Sequence, residues 1–433
     1  MPLSALLAAL ALVLAQPADS LSRAERALIR HVDADTGAAV ALLERVVNIN
    51  SGTLNLAGVR QVGDVFRAEF DALGFKTTWE DGAAFGRAGH LIAEHPGKGT
   101  RILLIGHLDT VFEPDSPFQR FERLDAGTAR GPGIVDMKGG DVIIVQALKA
   151  LKAARLLDDL HVTVIMTGDE EDSGDPMAVS RRSLLELARR HDVAIGFENG
   201  SGDPHKAVVA RRGYTAWTLT TTSAAAHSSQ IFTPAVGSGA IFEAARILAA
   251  FHQRLAGQPF LTFNPGIALG GTDVTVDPTG VRGTAFGKSN VVAARMVTSG
   301  DLRILSPEQL AATKETMRRI VAETGPQATA TITFEDGYPP LPPSAGNQRL
   351  LALYDGISRA IGFGSVTGTD PMRAGAADIS FTSGLVSMAM DGIGGAGRDD
   401  HSDRETADLS VFPALIKRAA ILFHRLGRMQ PTS

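Results

Sequence analysis

No cysteine occurs anywhere in the 433 residues. Disulfides, thiolate metal ligands and a cysteine nucleophile are therefore excluded. Any metal must be held through nitrogen and oxygen, which favours His, Asp and Glu as ligands. The chain also lacks a Lys/Arg run long enough to track a phosphate backbone. With 42 basic against 47 acidic residues and a net charge of −5, nucleic acid is not an expected partner. Long apolar runs are missing too. The one candidate is Leu3 to Ala15 in "MPLSALLAALALVLAQPADS", which at about 13 residues is too short to span a bilayer. It ends in Val13-Leu14-Ala15, a small-residue pattern suited to signal peptidase, so residues 1–15 are expected to be a secretory signal and the protein periplasmic or secreted. No Lys or Arg precedes the stretch, and an apolar N-terminal helix is the alternative. No membrane span is expected further along.

What is present is ordinary for a globular enzyme: 44% hydrophobic and 21% charged residues, with length enough for two or more domains. Helical periodicity marks "SRAERALIRHVD", "GAAVALLERVV" and "AGVRQVGDVFRAEFDALG", where Val62, Phe66, Phe70 and Leu73 recur and Gly74 supplies the stop. The runs "FKTTWE", "HLIAEH", "RILLIGHLD", "HVTVIMTG" and "DVAIGFE" read as strands, the third apolar enough to be buried on both faces. Between them "GDVIIVQALKALKAARL" and "RRSLLELARRH" read as helices, the alternation of a mixed or parallel α/β sheet. Near residue 210 the pattern changes. A β-α-β-β-α-β order follows, the ferredoxin-like pattern, which predicts an inserted α+β domain over 211–337 between two parts of a first domain at 22–210 and 338–433. The Pro-rich "GYPPLPPSAG" is its expected exit.

Five sequence-distant polar clusters lie at the ends of these elements, and the carboxyl ends of strands form the crevice of an open α/β sheet. "GHLDTV" offers His107 and Asp109, "GPGIVDMKGG" offers Asp136, "TGDEED" offers Glu170 and Glu171, "GFENG" offers Glu198, and "RDDHSDRE" offers His401. Each has a bland reading. His-x-Asp also occurs at His31, in a charged helix; Asp136 could cap a helix; residues 169–172 could be a solvated loop; and Glu198 could be an ordinary strand-end carboxylate. Together they form a nitrogen and oxygen set able to hold two divalent ions, with a carboxylate between them and water in the remaining position.

The motifs "GHLDTVF", "GPGIVDMKGG", "TGDEED", "AAAHSS", "NVVAARMVTSGDLR" and "DDHSDRE" resemble, in order and spacing, the co-catalytic zinc hydrolases that include glutamate carboxypeptidase, aminoacylase, acetylornithine deacetylase and succinyl-diaminopimelate desuccinylase. The resemblance runs from about residue 25 to the end and is nearest to the bacterial glutamate carboxypeptidases. It implies a mixed-sheet zinc-exopeptidase-like catalytic domain carrying an inserted lid and dimerisation domain, and two Zn2+ per subunit, with Co2+ or Mn2+ as other occupants. By the same resemblance Asp136 would bridge the ions, His107 and Glu198 completing one site and Glu171 and His401 the other. Glu170 would be the general base, and Asp109 would hydrogen-bond the second nitrogen of His107. His227 would reach the partner subunit's site to stabilise the oxyanion, and Asn290 and Arg303 would contact the substrate carboxylate. For His227 an exposed loop histidine, and for Arg303 a surface ion pair, are the plainer readings. Two positions depart from the family: Tyr338 stands where the glutamate-releasing type carries a second arginine, and Ala293 replaces the proline after "NVV".

The implied activity is hydrolysis of the amide bond to a C-terminal amino acid in a small peptide, by a homodimer joined through the lid. An N-acyl amino acid amidohydrolase using the same site is the alternative, and a binding protein that keeps the fold without turnover is the reading from another class.

Overall fold

The computed structural model describes residues 20–277 and 280–429. The apolar stretch expected as a signal, residues 1–15, lies outside them. Strands β1 Lys76–Asp81, β2 Gly89–His95, β3 Lys98–His107, β4 Leu160–Thr167 and β5 Val193–Gly196 belong to one sheet. β6 Gly213–Ser223, β7 Thr262–Gly271, β8 Asp273–Val276, β9 Gly283–Phe286, β10 Arg295–Ile304 and β11 Ala328–Asp336 follow, and β12 Met388–Met390 returns to the first sheet. The principal helices are α1 Arg23–Val47, α2 Leu56–Leu73, α3 Lys138–Ala153, α4 Arg182–Arg190, α5 Gly239–Leu255, α6 Pro307–Ala322, α7 Ala345–Ala360 and α8 Phe412–Gly427. No helix among the described residues is long and apolar enough to cross a membrane.

The first sheet runs in the order β1-β2-β4-β3-β5-β12. β1, β2 and β4 pair antiparallel, whereas β4, β3, β5 and β12 are mutually parallel. The parallel strands are covered on both faces, which is why they read as unbroken apolar runs. One face carries α1, α2, α3 and α8 in a large core that includes Val62, Phe66, Ile143, Leu148 and Phe423; the other carries a smaller core of Ile105, Ile165, Leu184, Leu187 and Ile379, to which α4 contributes. The chain leaves β3, crosses by α3 to β4 on one side, then crosses back by α4 to β5 on the other. The carboxyl end of β3 is therefore a topological switch point, where such sheets form their crevice.

Two glycines of "GPGIVDMKGG" show why α3 starts there. A Cβ on Gly140 would stand 2.0 Å from the carbonyl oxygen of Phe197, and one on Gly139 would stand 2.6 Å from that of Ile134. Without a side chain, Gly140 lets the start of α3 press against the exit of β5, and Gly139 lets it close over the turn that bears Ile134.

The second sheet has the order β7-β10-β6-β11, all antiparallel, with α5 and α6 packed through Trp217, Ile247, Phe251, Met317 and Ile320. This is the ferredoxin-like arrangement. The hairpin β8/β9 was not expected from sequence. The third strand of the pattern begins at Arg295, leaving "NVVAA" before it, and the two expected N-terminal helices are the single α1, which runs through Gly37.

Candidate active site

Each strand at the switch point ends in a donor. His107 is the last residue of β3; Glu170 and Glu171 follow β4; Glu198 follows β5. Asp136 lies two residues ahead of α3, and His401 sits in the loop between Arg398 and Thr406, with its backbone in the left-handed region (φ 58°).

The structure brings five of these side chains together around Asp136. Asp136 Oδ1 is 3.2 Å from His107 Nε2, and Asp136 Oδ2 is 3.1 Å from His401 Nε2. His107 Nε2 is 3.4 Å from Glu198 Oε1, and His401 Nε2 is 3.2 Å from Glu171 Oε2. Glu170 has an oxygen within 4.8 Å of donor atoms of His107 and Glu198, placing it on the His107 side. Asp400, which the sequence did not single out, comes within the same distance of Asp136 and His401.

The charges show what this arrangement is built to hold. Burial, then Asp136, pushes Glu198 up to about 8, and burial together with Glu198 raises Glu170 well above the usual range. Contacts with Asp136 and Glu171 lift His401 to about 11; His107 is raised by Glu198, Asp109 and Asp136 against the opposing effect of burial. Behind them Asp141 is fully buried with neither carboxyl oxygen hydrogen-bonded, and burial raises it too. So many carboxylates in one buried region call for positive charge. Like charges this close cannot all ionise unaided. Donors around a four-coordinate ion with bonds of ~2.0–2.2 Å stand about 3.3–3.6 Å apart. The observed separations, 3.1–3.4 Å, lie at or slightly below that spacing. His107, Asp136 and Glu198 could hold one ion, and Asp136, Glu171 and His401 another.

Asp109 does more than face His107 with its side chain. The nearest partner of His107 Nδ1 is the main-chain oxygen of Asp109 at 3.0 Å; its carboxylate lies at 3.5 Å. That carboxylate instead accepts the N–H groups of Glu170 (3.0 Å) and Glu171 (3.1 Å) and the hydroxyl of Thr53 (2.7 Å). Asp109 thus fixes the histidine tautomer chiefly through its backbone and the two glutamates through its side chain. Asp391, just beyond β12, does the same for Glu198, accepting its N–H at 3.1 Å while paired with buried Arg211 at 2.8 Å. Nothing in the sequence pointed to this pair.

The residues expected to meet substrate are elsewhere. His227 is exposed, with Nδ1 2.8 Å from Ser229 Oγ, and Asn290 is exposed. Arg303, on β10, pairs with Asp301 at 2.6 Å and lies over the Tyr214 ring at 5.4 Å. Among the described residues, no hydrogen bond or ion pair joins these three to the donors around Asp136. Tyr338 is buried, its hydroxyl against Arg181 rather than facing a solvent cleft.

A family model described as "Peptidase family M20/M25/M40" matches residues 103–425. The chain belongs to that family. Its members are hydrolases acting on amide bonds. The chain is 26% identical over 397 residues to carboxypeptidase G2 of Pseudomonas sp. (strain RS-16), covering 90% of this chain and 89% of that one. It is 32% identical over 192 residues to acetylornithine deacetylase of Proteus mirabilis (strain HI4320), covering 40% and 46%. Among solved structures, the aminopeptidase PepT of Bacillus cereus superposes with a TM-score of 0.71 at 18% identity, over 91% of this chain and 99% of that one. That likeness concerns the fold. The mixed α/β architecture is thus the one found in family structures.

Proposed function

We propose that the protein is a metal-dependent exopeptidase that hydrolyses the amide bond to the C-terminal amino acid of small peptides. The observation that carries this is the central place of Asp136, one oxygen beside each imidazole, with a further carboxylate beside each histidine. We take the cations to be zinc, with Co2+ or Mn2+ as other occupants, held by His107, Asp136 and Glu198 on one side and by Asp136, Glu171 and His401 on the other. When bound, such a pair supplies Lewis acidity, polarising the scissile carbonyl and making a water more acidic.

The remaining steps belong to the chain. Glu170, beside His107 and Glu198 but not assigned to an ion, takes the proton of the attacking water and returns it to the leaving amine. Arg303 would exchange Asp301 for the free carboxylate of the substrate, with Asn290 beside it; planar two-point binding of a carboxylate restricts cleavage to chain ends. His227 would serve the site of a second copy, joined through the insert, and its exposure without a contact to its own donors supports that reading. With Tyr338 turned toward Arg181, no second arginine is assigned to an acidic side chain of the released residue. We extend the proposal to export, on the apolar stretch at 3–15.

The second reading is an N-acyl amino acid amidohydrolase, favoured by the 32% identity to the deacetylase over part of the chain. Zinc-loaded protein assayed in parallel on dipeptides, folate-like amides and N-acyl amino acids separates the two. Faster turnover of peptides supports the first, faster turnover of acyl amino acids the second, and no amide cleavage in any arm removes both.

A further inference from the structure

Three of the five donor loops are fastened by the main sheet. His107, Glu170 with Glu171, and Glu198 each lie at or just beyond the end of a parallel strand whose neighbours fix its position. The loops that bear Asp136 and His401 follow no strand of that sheet. Something else must hold them in register.

A short antiparallel ladder between Thr128–Arg130 and Thr406–Asp408 ties their bases, and beyond it one buried side chain reaches the donor turn itself. Glu405, four residues beyond His401, is fully buried (0% exposed). Its Oε1 accepts the N–H of Val135 at 2.9 Å and of Asp136 at 3.1 Å, and its Oε2 accepts the N–H of Gly133 at 2.9 Å. Its main-chain oxygen accepts the N–H of Gly131 at 3.3 Å, and its own N–H donates to the main-chain oxygen of Ser402 at 3.1 Å. The next residue, Thr406, pairs with Arg130 in a short antiparallel ladder. Glu405 therefore belongs mechanically to both loops: it closes the turn that follows His401 and gathers the N–H groups of the turn that ends in Asp136. Three N–H groups thus converge on the two oxygens of one buried side chain.

We propose that Glu405 is a positioning residue that sets the separation of the two cation sites by fixing Asp136 relative to His401. It does for these loops what strand pairing does for the other donors. Its loss should weaken the site completed by Glu171 and His401 selectively, because His107 and Glu198 stay on the sheet.

The proposal rests on the cation-binding reading above, and the test keeps the two apart. Metal-free protein is titrated with Zn2+ by calorimetry and with Mn2+ by electron paramagnetic resonance, which reports exchange between neighbouring ions. Wild type is expected to take up two ions per chain with exchange coupling. So is the control Arg404→Ala, which alters an exposed side chain of the same loop paired only at 3.8 Å with Asp403. Glu405→Gln, nearly isosteric but uncharged, is expected to bind one ion normally and the second roughly 10–100-fold more weakly, with the coupled signal replaced by that of isolated ions. Far-UV circular dichroism of the metal-free proteins shows whether each variant is folded. If Glu405→Gln is not, Glu405→Asp, which keeps the charge and shortens the reach, decides by the same split. Two ions at wild-type affinity with coupling intact in a folded variant would overturn the proposal, as would equal weakening of both. Wild type that binds no divalent ion would instead remove the underlying reading.

Discussion

Tyr338 donates its hydroxyl hydrogen to the main-chain oxygen of Glu170 across 3.0 Å while accepting from Arg181 Nη2 at 2.6 Å. Arg181 is itself buried and held by Asp169 at 2.5 Å and Asp378 at 2.7 Å. Tyr338, two residues beyond β11, thus touches the main-chain oxygen of the proposed base, whose N–H is held by Asp109.

Tyr338→Phe isolates this contact. The ring keeps its stack on Tyr214 (6.0 Å) and its edge contact with Phe381 (5.0 Å), but a carbonyl and a guanidinium N–H lose their partner. Urea unfolding should show a loss of about 1–3 kcal/mol, and kcat should fall roughly tenfold with KM little changed. Wild-type values of both would show that the hydroxyl is idle.

Glu170→Gln should separate binding from turnover. Glu170 is not among the donors assigned to either ion, so metal analysis should still find two per chain. The rate should fall by roughly 10²–10⁴-fold, the usual contribution of a proton-transfer group. A variant that keeps its rate would remove Glu170 from the role of base.

Arg303→Ala should raise KM for substrates with a free C-terminal carboxylate by roughly 10–100-fold, the value of a hydrogen bond to a charged group of about 1.5–3 kcal/mol. Substrates amidated at that end should be equally poor with both proteins. Equal KM changes on both substrate types would point to a structural role through Asp301 and Tyr214.

Chelation should abolish amide hydrolysis and lower thermal stability together, because an ion that binds only the folded chain stabilises it by about 2.7 kcal/mol at a hundredfold excess over its Kd. Adding back Zn2+, Co2+ or Mn2+ should restore both. Full activity after exhaustive chelation would contradict a metal-dependent reaction.

His191 predicts an acid limit independent of the site. It is buried, with Nδ1 2.6 Å from the main-chain oxygen of Leu187, and burial pushes it down to about 4. The unfolded chain takes up this proton near pH 6.5, the folded chain only near pH 4, so between those values the unfolded state binds more protons. Stability therefore falls as pH drops from about 6.5 toward 4. His191→Asn, which keeps an N–H for Leu187, should flatten that slope in metal-free protein by up to about 1.4 kcal/mol per pH unit. An unchanged slope in urea titrations across that range would show that His191 titrates normally.

Donors at the ends of buried strands were legible because a strand covered on both faces announces itself as an apolar run, and the first polar residue after it is then conspicuous. "RILLIGHLD" and "HVTVIMTGDEE" each show strand and donor at once. The hairpin of β8 and β9 was not legible, since most of its residues are exposed and each strand is only four residues long, so the alternation in "DVTV" is too brief to stand out. α1 was read as two stretches because Gly37 interrupts it. A single glycine costs about 1 kcal/mol, and the burial of Leu28, Val32, Leu42, Leu43 and Val46 on either side outweighs that. Glu405 and Asp391 escaped for another reason. Their partners are backbone N–H groups 193 to 272 positions away, and every residue except proline offers the same N–H, so no letter marks the pairing. The further partners of the Asp109 carboxylate escaped on the same account: the amides of Glu170 and Glu171 are 61 and 62 positions distant.

The chain enters and leaves the insert side by side. Arg211 and Leu341 exchange main-chain hydrogen bonds at 2.9 Å, and Tyr214 N–H reaches the oxygen of Tyr338 at 3.1 Å. A segment joined between those two points bridges almost no gap, so its length or content can change without rethreading a single strand of the surrounding sheet.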